Sequence, residues 1–205
     1  MTVTVIGISG SPHRHGNTET LLDNFLDGAV HAGAEADRII LSSMKYTPCR
    51  GCNACHKTGE CIVTDDAEVI IERVMSCDCL CVASPIYTMG ITAELKGLID
   101  RAQYIWAQKF ILKTRFYPDD LIRRHKGIFI STAGLPWEHV FDAAFPAITA
   151  FFNTLGFEYY DNIIANDMDT YHGIRGHPTA LTEAFRKGEN VVRVIESQKG
   201  QLKAG

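Results

Sequence analysis

Residues 3–18 read VTVIGISGSPHRHGNT, and this stretch decides the fold. Val3 to Ser9 is a short, β-branched apolar run without alternation of polar and apolar positions, which is the pattern of a strand covered on both faces. Gly10-Ser11-Pro12 ends it in a turn. Asn17 or Thr18 then supplies an N-cap for a helix running to about Ala32, with Leu21, Leu22, Phe25 and Leu26 on one face. Gly33 stops that helix. A buried strand that turns directly into a helix is the repeating unit of a parallel α/β sheet.

The unit recurs. Further strands are predicted at Ala36 to Leu41, Leu80 to Ser84, Gly127 to Ser131 and Phe157 to Ala165. Asp65-Asp66 opens a helix through Met75, with Val69, Ile70 and Val74 turned inward. Thr92 caps a helix through Trp106. Pro136 sits in the first turn of a helix ending at Gly156, and Pro146 is expected to kink it. A last helix is expected from about Thr179 to Lys199. Lys109 to His125 reads as an irregular basic stretch. Strands and helices alternate five times, so the fold class is α/β, a doubly wound parallel sheet with helices on both sides.

Bulk properties agree with one domain over 1–205. The chain has 205 residues, 46% of them hydrophobic and 21% charged, enough for one sizeable core. A net charge of −4 gives no sign of a nucleic-acid or membrane surface. The opening MTVTVIGISGSP reads as a strand and a turn rather than a secretory leader, and no apolar run reaches the ~20 residues of a membrane span. Seven cysteines, an odd number, argue against a secreted disulfide framework. A soluble, cytoplasmic protein is expected.

Three turns carry candidate chemistry. The first, Ser9 to Thr18, joins a strand to a helix N-terminus, where free N–H groups and the helix dipole favour a phosphate. It matches neither the Rossmann nor the Walker pattern. Its hydroxyl and amide donors, Ser9, Ser11, Asn17 and Thr18, suit a monophosphate such as that of FMN. An ordinary strand–helix turn is the alternative. The second turn, Ser84-Pro85-Ile86-Tyr87-Thr88-Met89-Gly90, puts apolar and aromatic groups at the same sheet edge, where ligands of doubly wound folds bind. A flat ring can lie on Pro85, Ile86 and Tyr87; packing against a partner subunit is the other reading. The third, Ser131-Thr132-Ala133-Gly134, offers small side chains and backbone donors that suit the pyrimidine end of a flavin.

A fourth motif lies on the loop at 48–62: Cys49-x2-Cys52-x2-Cys55-x5-Cys61. Four thiolates this close can wrap one inorganic centre. Three cysteines at two-residue gaps open the bacterial ferredoxin run in the same way. A structural zinc usually takes two pairs on separate turns. An iron–sulfur cluster, a lost cluster site and zinc are the readings these residues leave open.

Together, ISGSPHRHGNT, the four-cysteine run followed by Asp65-Asp66, and SPIYTMGITAELKGLIDR resemble the iron–sulfur flavoprotein branch of the NAD(P)H-dependent FMN reductases. The resemblance spans roughly residues 3 to 134, with the motifs in the expected order. It implies a flavodoxin-like fold with strand order 2-1-3-4-5, and FMN held by the three turns above, with His13, Thr88, Gly90, Thr132, Ala133 and Gly134 among the contacts. It implies a [4Fe–4S] cluster on Cys49, Cys52, Cys55 and Cys61, a homodimer or homotetramer, and ferredoxin or NAD(P)H as electron donor. It requires no acid–base residue, and none is assigned. His13 stands where that family usually has arginine, with Arg14 as a neighbouring substitute. The rival functions are a cluster-free NAD(P)H-dependent FMN or quinone reductase, and a non-catalytic flavin- or zinc-binding redox sensor.

Other polar and sulfur-bearing positions have plainer readings. Cys77, Cys79 and Cys81 are expected to share one core face of the third strand. His172 and His177 are expected in a solvated loop. The basic stretch at 109–125 is either a steering surface for an acidic ferredoxin or NADPH, or a solvated flap.

Overall fold

The computed structural model describes residues 2–201. Five parallel strands form one sheet in the order β2-β1-β3-β4-β5, the flavodoxin-like arrangement implied by the motifs. The strands are β1 (Thr4–Ser9), β2 (Glu35–Ile40), β3 (Cys79–Pro85), β4 (Lys126–Thr132) and β5 (Glu158–Ala165). The helices in chain order are α1 (Asn17–His31), α2 (Cys55–Thr58), α3 (Asp66–Met75), α4 (Ala93–Arg101), α5 (Gln103–Trp106), α6 (Asp119–Arg124), α7 (Phe145–Leu155) and α8 (Ala180–Gln201).

Successive strand residues point to opposite faces, and here both faces are apolar. Ile6, Ile8, Leu80, Val82 and Phe129 pack on one side with Ile70, Ile71, Val74, Leu95, Leu98 and Phe151. Val5, Cys79, Cys81, Ala83, Ile128 and Ile130 pack on the other with Leu21, Leu22, Phe25, Val191 and Ile195. Helices α3, α4 and α7 thus cover one face, and α1 and α8 the other.

Several local expectations are corrected. Gly16, not Asn17 or Thr18, is the N-cap of α1, and no side chain caps that helix. Pro146 does not kink a helix; it lies in the first turn of α7, where its missing N–H has no intrahelical role. The segment before it, Glu138–Phe141, is a short 3-10 turn. Val69 faces solvent, and Ile71 takes the inward place assigned to it. The helix opened by Thr92 breaks at Ala102, resumes as α5 and ends in a π-helical turn at Ala107–Ile111. Part of the basic stretch is helical, forming α6. Cys77 precedes β3 and joins the opposite core from Cys79 and Cys81. Its thiol donates to the carbonyls of Val74 and Cys79, both at 3.1 Å, and burial pushes it up to about 12.

Helices α1 and α8 approach closely enough to require glycine on both. A Cβ on Gly188 would lie 2.1 Å from the Phe25 carbonyl oxygen, and one on Gly28 would lie 2.0 Å from that of Phe185. Both obstacles are backbone, so neither can swing aside. Gly188→Ala is expected to lower unfolding free energy by about 3 kcal/mol through overpacking; an unchanged urea midpoint would contradict this contact.

Candidate functional site

Because both faces are covered, the polar groups gather beyond the carboxyl ends of the strands. A cleft of about 210 Å³ opens there, lined by Ser11, His13, Gly16, Asn17, Thr18, Pro85, Ile86, Tyr87, Thr132, Ala133, Gly134, Met168 and Asp169. Ten of the residues predicted for a flavin therefore meet at one place. Ser9, Ser84, Thr88 and Gly90 do not line it.

The first loop is built around a buried carboxylate. Ser11 Oγ accepts the His13 N–H at 3.2 Å and donates to the His13 carbonyl at 3.1 Å, folding the loop back on itself. His15 sits at φ 58, and its N–H donates to Glu19 Oε2 at 3.3 Å. Glu19 is fully buried, and it also holds Arg14 Nε at 3.3 Å and Arg38 Nη1 at 3.4 Å. Arg14 is therefore engaged away from the cleft, and of these two neighbours His13 is the one that lines it. The uncapped first turn of α1 presents its N–H groups and dipole there.

Hydroxyls lock the neighbouring loops. Thr18 and Thr132 hydroxyls lie 2.5 Å apart, tying α1 to the end of β4. Ser84 Oγ accepts the Thr92 N–H at 3.1 Å, Thr92 Oγ1 donates to the Gly10 carbonyl at 2.6 Å, and Ser131 Oγ donates to the Ser84 carbonyl at 2.7 Å. Ser84 is thus a brace beneath the cleft. Ser9 is buried, and its hydroxyl has no hydrogen-bond partner among the described residues. Tyr87 and Gly90 exchange both backbone hydrogen bonds around Thr88 (φ 47) and Met89 (φ 65), a turn that normally selects asparagine and glycine.

Sequence reasoning missed the loop after β5. Met168 N–H donates to the Ala133 carbonyl at 3.1 Å and Asp169 N–H to that of Gly134 at 3.4 Å, which carries both side chains to the cleft. The Asp169 carboxylate crowds Gly134, where a Cβ would meet it at 2.7 Å. Asn17 Oδ1 accepts the Ile174 N–H at 3.0 Å, so this side chain anchors the same loop. His177 is a capping residue: its Nδ1 accepts the Ala180 N–H at 3.1 Å at the start of α8. His172 lies on the loop at φ 52, outside the cleft.

The four cysteines of the 48–62 loop line a second, smaller cavity of about 30 Å³, with Arg101, Gln103 and Tyr104 among its walls. Left-handed residues at Gly51, Asn53 and Gly59 wind the loop, and the Gly51 N–H donates to Cys49 Sγ at 3.4 Å. Burial pushes the Cys55 thiol up, and the Cys49, Cys52 and Cys61 thiols beside it add to that. Among the described residues, no three Cys, His, Asp or Glu side chains converge on a site for a single metal ion.

Arg101, which is 3% exposed, clasps both ends of this loop. Its Nη1 donates to the Thr47 carbonyl at 3.0 Å and to both Asp65 oxygens at 2.8 and 2.7 Å, and its Nη2 donates to the Val63 carbonyl at 2.7 Å. Asp65 also caps α3 and accepts the Thr47 N–H. Burial alone would lower the Arg101 pKa, but Asp65 and neighbouring Cys61 hold it above its ordinary value. Burial would likewise raise the Asp65 carboxyl, yet Arg101 and the Thr47 and Ala67 N–H groups hold it below the usual range.

Residues 3–137 match the family model for NADPH-dependent FMN reductase. The chain belongs to the NADPH-dependent FMN reductase family. Relatives named iron–sulfur flavoproteins are also similar to it, in line with the resemblance carried by the motifs. An iron–sulfur flavoprotein of Methanocaldococcus jannaschii is 39% identical over 99 residues, covering 48% of this chain and 51% of that protein. One of Methanosarcina thermophila is 34% identical over 111 residues, covering 54% and 58%. The chain thus spans about half the length of the relatives it matches. The NAD(P)H:quinone oxidoreductase from Methanothermobacter marburgensis superposes with a TM-score of 0.65 at 17% identity, over 96% of this chain and 97% of that one. A flavone reductase does so with a TM-score of 0.68 at 18% identity, over 96% and 64%. At these identities the likeness is one of fold. No described helix of this family member is long and apolar enough to cross a membrane.

Two outcomes are expected. A carboxyl held below its unfolded pKa stabilises the fold above that value, near 3.9, and the gain is lost as pH falls through the folded value. Wild-type stability should therefore decline below about pH 4, and Asp65→Asn should flatten that part of the urea midpoint–pH curve. Thr88→Asn should raise unfolding free energy by about 0.5–1 kcal/mol, because asparagine tolerates the left-handed turn better than a β-branched residue; thermal melts report the sign.

Proposed function

We propose that this chain is an FMN-dependent oxidoreductase carrying a [4Fe–4S] cluster, passing electrons between NAD(P)H or ferredoxin and an acceptor. The observation that carries the proposal is the meeting of all four motif cysteines at one cavity, apart from a cleft whose donors suit a flavin phosphate. FMN fits the cleft by chemistry. The uncapped first turn of α1, Ser11 and His13 would bind the phosphate; Pro85, Ile86 and Tyr87 would give the ring an apolar wall; and Thr132, Ala133 and Gly134 would serve its polar edge. Ser9 and Ser84 support these contacts from below, and Thr88 and Gly90 shape the turn.

A cluster fits the second cavity better than zinc does. Each thiolate of a four-iron centre binds a different iron, so its ligands need not converge on one ion. Cys49, Cys52, Cys55 and Cys61 would hold it. When both groups are bound, FMN supplies hydride or single-electron chemistry and the cluster supplies single-electron transfer. The protein's part is to hold the two, exclude water and leave an entrance for the donor. The two cavities share no lining residue, which favours a homodimer or homotetramer in which the cleft of one chain meets the cysteine loop of another. Exposed Tyr87, Met89, Leu135 and Trp137 form an apolar rim suited to such a contact.

Protein purified without oxygen should contain one FMN and about four irons with matching sulfide per chain. Cys52→Ser should lose most of the iron while keeping FMN. Flavin without iron in the wild type would overturn the cluster and leave the cluster-free FMN or quinone reductase. Negligible turnover with NADH, NADPH and reduced ferredoxin would leave a redox-sensing module.

A further inference from the structure

The four-cysteine cavity has a buried cation in its wall, and its hydrogen bonds are all made on one side. Arg101 uses Nη1 and Nη2 on Thr47, Val63 and Asp65, while its buried Nε–H has no hydrogen-bond partner among the described residues. Arg101 lines the cavity beside Cys61, whereas Asp65 does not. The pair therefore stands as an oriented dipole with its positive end toward the thiols. An unpaired buried N–H keeps its full desolvation penalty unless something accepts it. The sulfur placed beside it is that of Cys61, in the same cavity wall.

We propose that Arg101 is a positioning residue that sets the reduction potential of the centre held by Cys49, Cys52, Cys55 and Cys61, with Asp65 moderating its charge. This rests on the cluster reading above. One-electron reduction, the electron arriving from NAD(P)H through the flavin or from ferredoxin, adds one negative charge to the centre. Arg101 keeps its proton throughout, so no proton accompanies the electron at this residue. A fixed cation in a partly water-excluded wall stabilises the more negative state and raises the potential. Neutralising Asp65 strengthens that cation, and removing Arg101 abolishes it, so the two changes act with opposite sign.

The test is a dithionite titration of the anaerobic protein, following cluster and flavin on the same sample. Asp65→Asn keeps the α3 cap and should shift the cluster upward. Arg101→Gln should shift it downward by about tenfold in the redox equilibrium, which is about 59 mV for one electron. The flavin potential, set at the other cavity, should stay put in both. Shifts of the same sign, no cluster shift, or equal shifts of flavin and cluster would overturn the proposal. If Arg101→Gln does not fold, Asp65→Asn decides alone: an upward shift with iron retained supports the proposal, and no shift overturns it. Wild type without iron overturns the cluster reading and this inference with it; wild type with iron but unshifted variants overturns this inference only.

Discussion

Covering the sheet on both faces is the constraint from which the rest of the structure follows. The central strands β1, β3 and β4 hide side chains in two cores, so the middle of the sheet offers no surface for chemistry. Only the ends of strands remain, and there the chain must reverse into helices. The turns after β1, β3 and β4 therefore converge whether or not a ligand is present. Their small hydroxyl side chains first serve the chain itself: Thr92, Ser84 and Ser131 satisfy carbonyls that the sheet leaves open. The cleft above is shaped by that bracing.

The cysteine loop solves a different problem. A segment rich in left-handed turns and poor in apolar residues has little packing of its own. It is held by its ends, through one guanidinium that reaches the chain on either side of it. Arginine is suited to this because its planar fork offers several fixed donors, which a lysine ammonium lacks. A rigid base leaves the thiols in register without requiring the loop to fold independently.

The alternation of strands and helices, most helix faces and the three cleft turns were legible as local sequence patterns, whereas the sheet order was implied by the family resemblance. Errors arose where a local signal has two meanings. A proline in an apolar helix reads as a kink or as a first turn, and only the 3-10 segment before Pro146 decides between them. Cys77, Cys79 and Cys81 alternate in sequence, but Cys77 lies before the strand and so leaves its periodicity. Arg101, Glu19 and Asp169 were invisible as site residues. Each acts through partners distant in the chain or through a burial that no local rule assigns to a charge; Arg101 stands 36 positions from Asp65. The cap made by His177 was hidden because histidine is an uncommon N-terminal acceptor.

The close fit of α1 against α8 also sets an order in time. His31 and Glu189 meet at 2.9 Å across 158 positions of chain. During synthesis, at about 5–20 residues per second, the apolar side of α1 waits roughly ten to thirty seconds for the helix that covers it. Over that interval β1 and α1 are made but half-dressed, with one sheet face open to water and to other nascent chains. Until α8 emerges, the nascent chain carries an uncovered apolar face, the kind of surface on which aggregation starts.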